Sequence, residues 1–190
     1  MSKSSYPATP PATVRSPRAT EVVGAARRLL ESEGPDALTM RRLGDELGIR
    51  APSIYKHFPG KTAVELAVIE DALVELGAAL HQAVAGAGSG TGAAVAALLV
   101  TYRSHALAHP NLYRLATGAP VRRQDMTSGL EDWAGEPFYL AAGELYLAQA
   151  LWAFAHGMVI LELDSRFLPD SDRDRTWAAG AAAFVTACVA

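Results

Sequence analysis

Between Arg50 and Lys61 the chain reads RAPSIYKHFPGK, which brings a hydroxyl, a phenol, an imidazole and several cations into one short stretch. At about 100° per residue, Ile54 and Phe58 fall on one side as an i,i+4 pair suited to a core. Pro52, Ser53 and Lys56 then point the opposite way, with Tyr55 and His57 on the flanks. Pro52 suits a first helical turn, where its missing N–H costs nothing, and Pro59-Gly60 predicts the stop. Donors and cations behind small leading residues suit contact with an anionic groove better than bond making. The rival chemistry is a metal or acid–base site around His105, His109 and His156. No nucleophile–base pair or ligand triad accompanies those histidines, and His109, just before Pro110, is more simply a helix-end residue. Asp170, Asp172 and Asp174 resemble the start of a calcium loop, but the following Gly and the distal Glu are missing. AGAGSGTG, residues 85–92, lacks the Gly-Lys-Ser/Thr of a phosphate loop. No catalytic residue, metal or cofactor is therefore expected.

Around these residues the pattern is helical throughout, with no convincing period-2 strand. Helix one is predicted from Thr20 to Glu33, burying Val23, Ala26, Leu29 and Leu30 and stopped by Gly34-Pro35. Helix two starts at the N-cap Thr39, buries Met40, Leu43 and Leu47, and closes at Gly48. The quoted stretch is helix three. A long helix follows from Lys61 to about Ala85, then one from Ala93 to His109, and a short one over NLYRLATGAP. Residues 119–135 read as irregular, with a short helix near Leu130. A long helix is predicted from Pro137 to Phe167, and a last one from Asp172 to the C-terminus.

The chain has 190 residues, half of them hydrophobic, enough for one good core or two small ones. Its single Cys188 excludes a disulfide framework. No apolar run reaches the roughly 18 to 20 residues of a membrane span. The first 20 residues lack the apolar segment of a secretory signal, so a cytoplasmic protein is expected. The net charge of −3 is divided unevenly: residues 1–64 hold ten Lys/Arg against six Asp/Glu, and residues 65–190 hold seven against fourteen. A basic head on an acidic body points the head towards a polyanion. The expected division is a disordered arm over 1–17, a basic helical head over 18–64, and an acidic helical body over 65–190. Arg15 or Arg18 of the arm could reach a minor groove, or the arm could be disorder alone.

Helices two and three, joined at Gly48-Ile49-Arg50, have the lengths of a helix-turn-helix, whose second helix enters the major groove. Ser53 can then bond a base or a phosphate, and Lys56 can reach either. Arg41 can reach a base edge, and Thr39 and Lys61 lie at helix starts suited to phosphates. Each has a plainer reading as well: Tyr55 could pack on helix one, His57 could cap its helix, and Arg42 could be an ordinary solvated residue. The run from Ala25 to Leu73 strongly resembles the DNA-binding domain of the TetR family of bacterial transcriptional regulators. It carries AA-x-x-LL-E-x-x-G, LT-x-x-x-L, LGI and S-I-Y-x-H-F-x-x-K. The resemblance implies that Thr39, Tyr55, His57 and Lys61 hold phosphates. It places Arg41, Arg50, Ala51, Pro52, Ser53 and Lys56 at bases or the groove wall. Gly44 departs from the family, where Ala is commoner.

In the second half, WAFAHG (Trp152 to Gly157) resembles a Trp-x-x-x-His-Gly signature of one TetR-type subclass. Trp152 and His156 are an i,i+4 pair, and His156 could equally be an ordinary core histidine. Helical bundles hold small molecules between helices, and the candidate lining residues are Tyr102, His105, Tyr113, Trp133, Phe138, Trp152 and His156, with Leu112 and Tyr139. The resemblance implies an all-α homodimer paired through its last two helices. It further implies a repressor on double-stranded DNA with a near-palindromic operator, released by a small-molecule effector. An activator or a ligand-independent regulator of the same fold is the alternative, and an enzyme or an interaction module that has lost DNA binding are more distant ones.

Overall fold

The computed structural model describes residues 9–11, 13–88, 91–118 and 123–189. The expected arm before residue 9 and parts of the 85–92 and 119–135 loops lie outside the described residues. Nine α-helices and no strand occur among the described residues: α1 (Pro17–Glu33), α2 (Met40–Leu47), α3 (Ala51–Tyr55), α4 (Lys61–Gly86), α5 (Thr91–Ala108), α6 (Pro110–Gly118), α7 (Leu130–Ala142), α8 (Leu145–Leu163) and α9 (Arg173–Val189). The all-helical expectation holds.

Several boundaries differ from the pattern reading, each for a local reason. α1 begins three residues before Thr20, because Ser16 caps it through its Oγ and Pro17 takes the first helical position. Thr20 instead lies inside the helix, its hydroxyl donating back to the Ser16 carbonyl. α3 ends at Tyr55, ahead of Pro59-Gly60. The long helix expected from Pro137 to Phe167 is two helices: Gly143 takes φ 75° and Glu144 caps α8 by accepting from the Tyr146 and Leu147 amides. Those amides hold the Glu144 carboxyl below its ordinary pKa. Pro137 lies inside α7 rather than at a helix start.

The described chain divides into two compact units. The first comprises residues 9–74 and 109–131. Its core joins Val22, Ala26, Leu29 and Leu30 of α1 to Leu43, Ile54, Phe58, Val64 and Val68, with Leu112 of α6 inserted among them. Glu31 of α1 fastens α6 by accepting from the Leu112 amide at 2.8 Å. Residues 65–74 and 109–131 pack with the N-terminal helices, held there by apolar contacts and the Glu31 cap.

The second unit comprises residues 75–108 and 132–189 of the described chain, with α5, α8 and α9 packed together. Phe154 of α8 lies against Trp177 and Phe184 of α9, and Gly180 allows the approach: a Cβ there would meet the Phe154 ring at 2.0 Å. Glu162 ties the three helices, accepting from Arg103 Nη2 at 3.1 Å and from the Trp177 indole, while Arg103 also pairs with Asp174. With 19 residues and mean hydropathy 1.3, α8 is long and apolar enough to cross a membrane by length and composition alone. Gln149, His156 and Gly157 interrupt its sequence, so no unbroken apolar run reveals that.

Candidate nucleic-acid interface

Thr39, extended at φ −126°, accepts from the Arg42 amide at 3.1 Å and so starts α2. α2 ends at Gly48, whose φ of 62° is the left-handed turn that glycine adopts without steric cost. Ile49 N–H then donates to Gly44 O at 2.9 Å, which closes the turn into α3. Gly44 is where the sequence departs from the family pattern, and its role is a close approach: a Cβ there would lie 2.8 Å from Ile49 O.

Ile54 is fully buried and Phe58 nearly so, as the i,i+4 spacing predicts. The opposite side of α3 is open. Pro52, Tyr55, Lys56 and His57 are exposed, Ala51 and Ser53 are half-buried, and Arg41 and Arg50 are exposed beside them. Tyr55 keeps 51% of its surface, so it is not consumed by packing on α1. His57 Nδ1 lies 3.4 Å from the Ser16 hydroxyl. Lys61, at the first position of α4, lies 3.4 Å from Pro35 O and 3.5 Å from Glu65.

The remaining cations of this unit are engaged elsewhere. Arg42 pairs with Glu33 and, at 3.8 Å, with Glu46, and Arg28 lies 3.7 Å from Glu46. Arg18 pairs with Glu21. Arg15 is 13% exposed and bound to Glu70 and Asp71, so it is not free for a groove. Arg41, Arg50 and Lys56 have no protein partner among the described residues. An open helix carrying small residues at its N-terminal half and unneutralised cations around it has the form of a major-groove reader.

The candidate ligand residues are dispersed. Tyr102 and Phe138 meet edge to face, with ring centroids 5.6 Å apart. Trp133 is 2% exposed and lies against His81 with the rings tilted by 31°, and His81 Nε2 is 3.0 Å from the Trp133 carbonyl. Its six-membered ring rests on Gly77, where a Cβ would come within 2.5 Å. His105 is half-buried on α5. Trp152 and His156 stack along α8, but Trp152 is 52% exposed, and burial holds the His156 imidazole below its ordinary pKa. Tyr113 is buried on α6, in the other unit from the rest. The pattern reading missed His81, Glu31, Glu70 and Glu162. Glu70 had a faint signal, as one of two adjacent carboxylates in the apolar run AVIEDAL, whereas His81 had none. Among the described residues no group of three or more His, Cys, Asp or Glu could hold a metal.

These features define a helix-turn-helix protein with a separate helical bundle. Two family models match in tandem: the tetR family of bacterial regulatory proteins over residues 22–68, and the tetracyclin repressor-like C-terminal domain over 95–184. An uncharacterized HTH-type transcriptional regulator of Mycobacterium tuberculosis is 31% identical over 166 residues, which is 80% of this chain and 73% of that protein. The chain belongs to the TetR family of transcriptional regulators. A Rhodococcus protein of unknown function superposes with TM-score 0.73 at 26% identity, covering 91% of this chain and 96% of its own. A TetR protein of Acinetobacter baumannii in complex with minocycline shares the fold at TM-score 0.61 and 20% identity, over 87% of this chain and 93% of its own. The family, and the Mycobacterium tuberculosis relative within it, are transcriptional regulators rather than enzymes.

Proposed function

We propose that the chain is a homodimeric repressor that occupies a near-palindromic operator and leaves it when a small molecule enters the C-terminal bundle. Thr39, Tyr55, His57 and Lys61 hold phosphates, and Arg41, Arg50, Ala51, Pro52, Ser53 and Lys56 face bases or the groove wall. The observation that carries this reading is the contrast among the cations: Arg15 and Arg42 are closely paired within the protein, while Arg41, Arg50 and Lys56 stand exposed on α2 and around α3. Exposed cations without internal partners repel one another in an isolated domain and are favourable opposite a phosphate backbone.

The exposed side of α8 supports the dimer. Leu145, Tyr146, Gln149, Ala150, Trp152, Ala153 and Leu161 lie on it without a charge among them. A second copy would cover this face, and a two-fold dimer gives a two-fold operator. Trp152, His156 and Gly157 carry the resemblance to the Trp-x-x-x-His-Gly subclass. Trp152 belongs to the dimer face in this reading, and Tyr102, His105, Trp133, Phe138 and His156 remain the effector candidates. Residues 18–64 read DNA and the rest binds effector and partner, with 65–74 and 109–131 lodged in the first unit. The compartment is the cytoplasm, where the operator lies.

The switch is a shift of the C-terminal helices that moves α4 and alters the spacing of the two heads. The test is selection of random duplexes by the purified protein. A two-fold symmetric winner, bound less tightly when effector is added, supports the reading. A winner without two-fold symmetry, or no enrichment, sinks it.

A further inference from the structure

Residues 13–16, just ahead of α1, are seated within the first unit. Arg15 is 13% exposed; its Nη2 donates to Glu70 Oε2 at 2.9 Å and to the Ala67 carbonyl at 3.1 Å, and its Nη1 bonds Asp71. The other Glu70 oxygen, Oε1, accepts from the Thr127 amide at 2.7 Å and the Thr127 hydroxyl at 2.8 Å. One carboxylate, 9% exposed, therefore holds two separate segments on α4. Pro11 lies close by, 3.8 Å from where a Cβ on Gly129 would stand.

The two holds depend on each other. A buried carboxylate is costly unless a cation and hydrogen-bond donors compensate it. Without Arg15, Glu70 loses the cation that offsets its burial and turns towards solvent, which weakens its acceptance from Thr127. The seat is also imperfect, since the Thr13 hydroxyl is buried with no hydrogen-bond partner among the described residues. A buried unsatisfied hydroxyl favours opening.

Chain connectivity gives this contact a consequence. Residues 109–131 belong to the first unit, yet the chain enters them from α5 and leaves them through α7, whose residues from 132 onward belong to the second. For this stretch to follow a displacement of α5 or α7, Thr127 must release Glu70.

We infer that residues 13–16 are an internal latch and that Arg15 is not a reader of the minor groove. Arg15 is a positioning residue that, through Glu70, holds the Thr127 loop on α4 and sets how readily residues 109–131 leave the DNA-reading unit. Its bearing on effector release rests on the repressor reading above; the latch itself does not.

The test is amide hydrogen exchange on the full chain without DNA, beside operator affinity at several salt concentrations. Arg15→Ala should speed exchange at the Thr127 amide at least tenfold and leave the Leu43 amide, bonded to Thr39 O at 2.9 Å, unchanged. Arg15→Lys should give a smaller rise. Thr13→Val, which removes the unsatisfied hydroxyl, should slow exchange at Thr127 several-fold. This second variant decides the matter should Arg15→Ala unfold. Unchanged exchange at Thr127 in Arg15→Ala and Thr13→Val overturns the latch. So does a lower salt dependence of operator binding in Arg15→Ala, because Arg15 would then be touching phosphate. Failure of the wild-type chain to bind any duplex overturns the repressor reading and leaves the exchange result standing.

Discussion

Replacing Lys61 with Ala removes a cation that the structure leaves only loosely engaged. Its Nζ lies 3.4 Å from Pro35 O and 3.5 Å from Glu65, and its side chain is 44% exposed. Arg42 sits nearby with 38% exposure, but Glu33 and Glu46 both pair with it. By charge alone the two residues are equivalent; by partners they are not. A dimer presents Lys61 twice, so its loss removes two phosphate contacts. Counterion release then lowers the slope of log K against log salt by about 1.8, from about 0.9 per phosphate. Between 50 and 200 mM salt that slope change corresponds to a roughly 12-fold difference in relative affinity. Arg42→Ala should leave the slope unchanged and cost at most about 1 kcal/mol of folding stability, as exposed ion pairs do. Fluorescence anisotropy on the selected duplex at four or more salt concentrations measures both. An unchanged slope in Lys61→Ala, or an equal fall in Arg42→Ala, would refute the assignment of cations to DNA by their internal partners.

Three further outcomes follow from packing and protonation. Gly180→Ala and Gly77→Ala place a methyl against the rings of Phe154 and Trp133; each should cost about 1–3 kcal/mol by overpacking, read as a lowered urea midpoint. Glu162→Ala strands the Arg103 and Trp177 donors at the junction of α5, α8 and α9 and should cost about 2–4 kcal/mol, discounted from a fully buried pair because Arg103 is partly exposed; Glu162→Gln should recover part of it. Burial lowers the pKa of His156, so the unfolded chain binds its proton more readily than the folded one. Stability linked to this group is complete above its ordinary value of 6.5 and declines as pH falls below it. His156→Gln should flatten that decline in thermal melts between pH 7 and 5, and an unchanged profile would show that the imidazole is already protonated or plays no part.

The reading head was legible because its determinants are local. Thr39, Gly48 and the Ile54–Phe58 pair state a cap, a stop and a buried face within twenty residues, and the structure has all three. Gly44 was visible as an oddity, but its cause was not, since the atom that excludes a side chain is the carbonyl of Ile49 across a turn. The break between α7 and α8 was harder. Gly143 and Glu144 interrupt a strongly apolar helical pattern for only two residues, and periodicity averages over so short an interruption.

By itself, then, the sequence determined the all-helical class, the helix-turn-helix and the basic face it presents, because caps, stops and i,i+4 spacing act over a single turn or two. Tertiary structure decided which cations are free, because neutralisation depends on partners such as Glu33, nine residues from Arg42, and Glu70, 55 residues from Arg15. It also decided that residues 109–131 lodge with the N-terminal helices, through Leu112 in their core and Glu31 at the start of α6. Hydrophobic packing and buried carboxylates link segments without regard to their order along the chain, so no local pattern announces where they will meet.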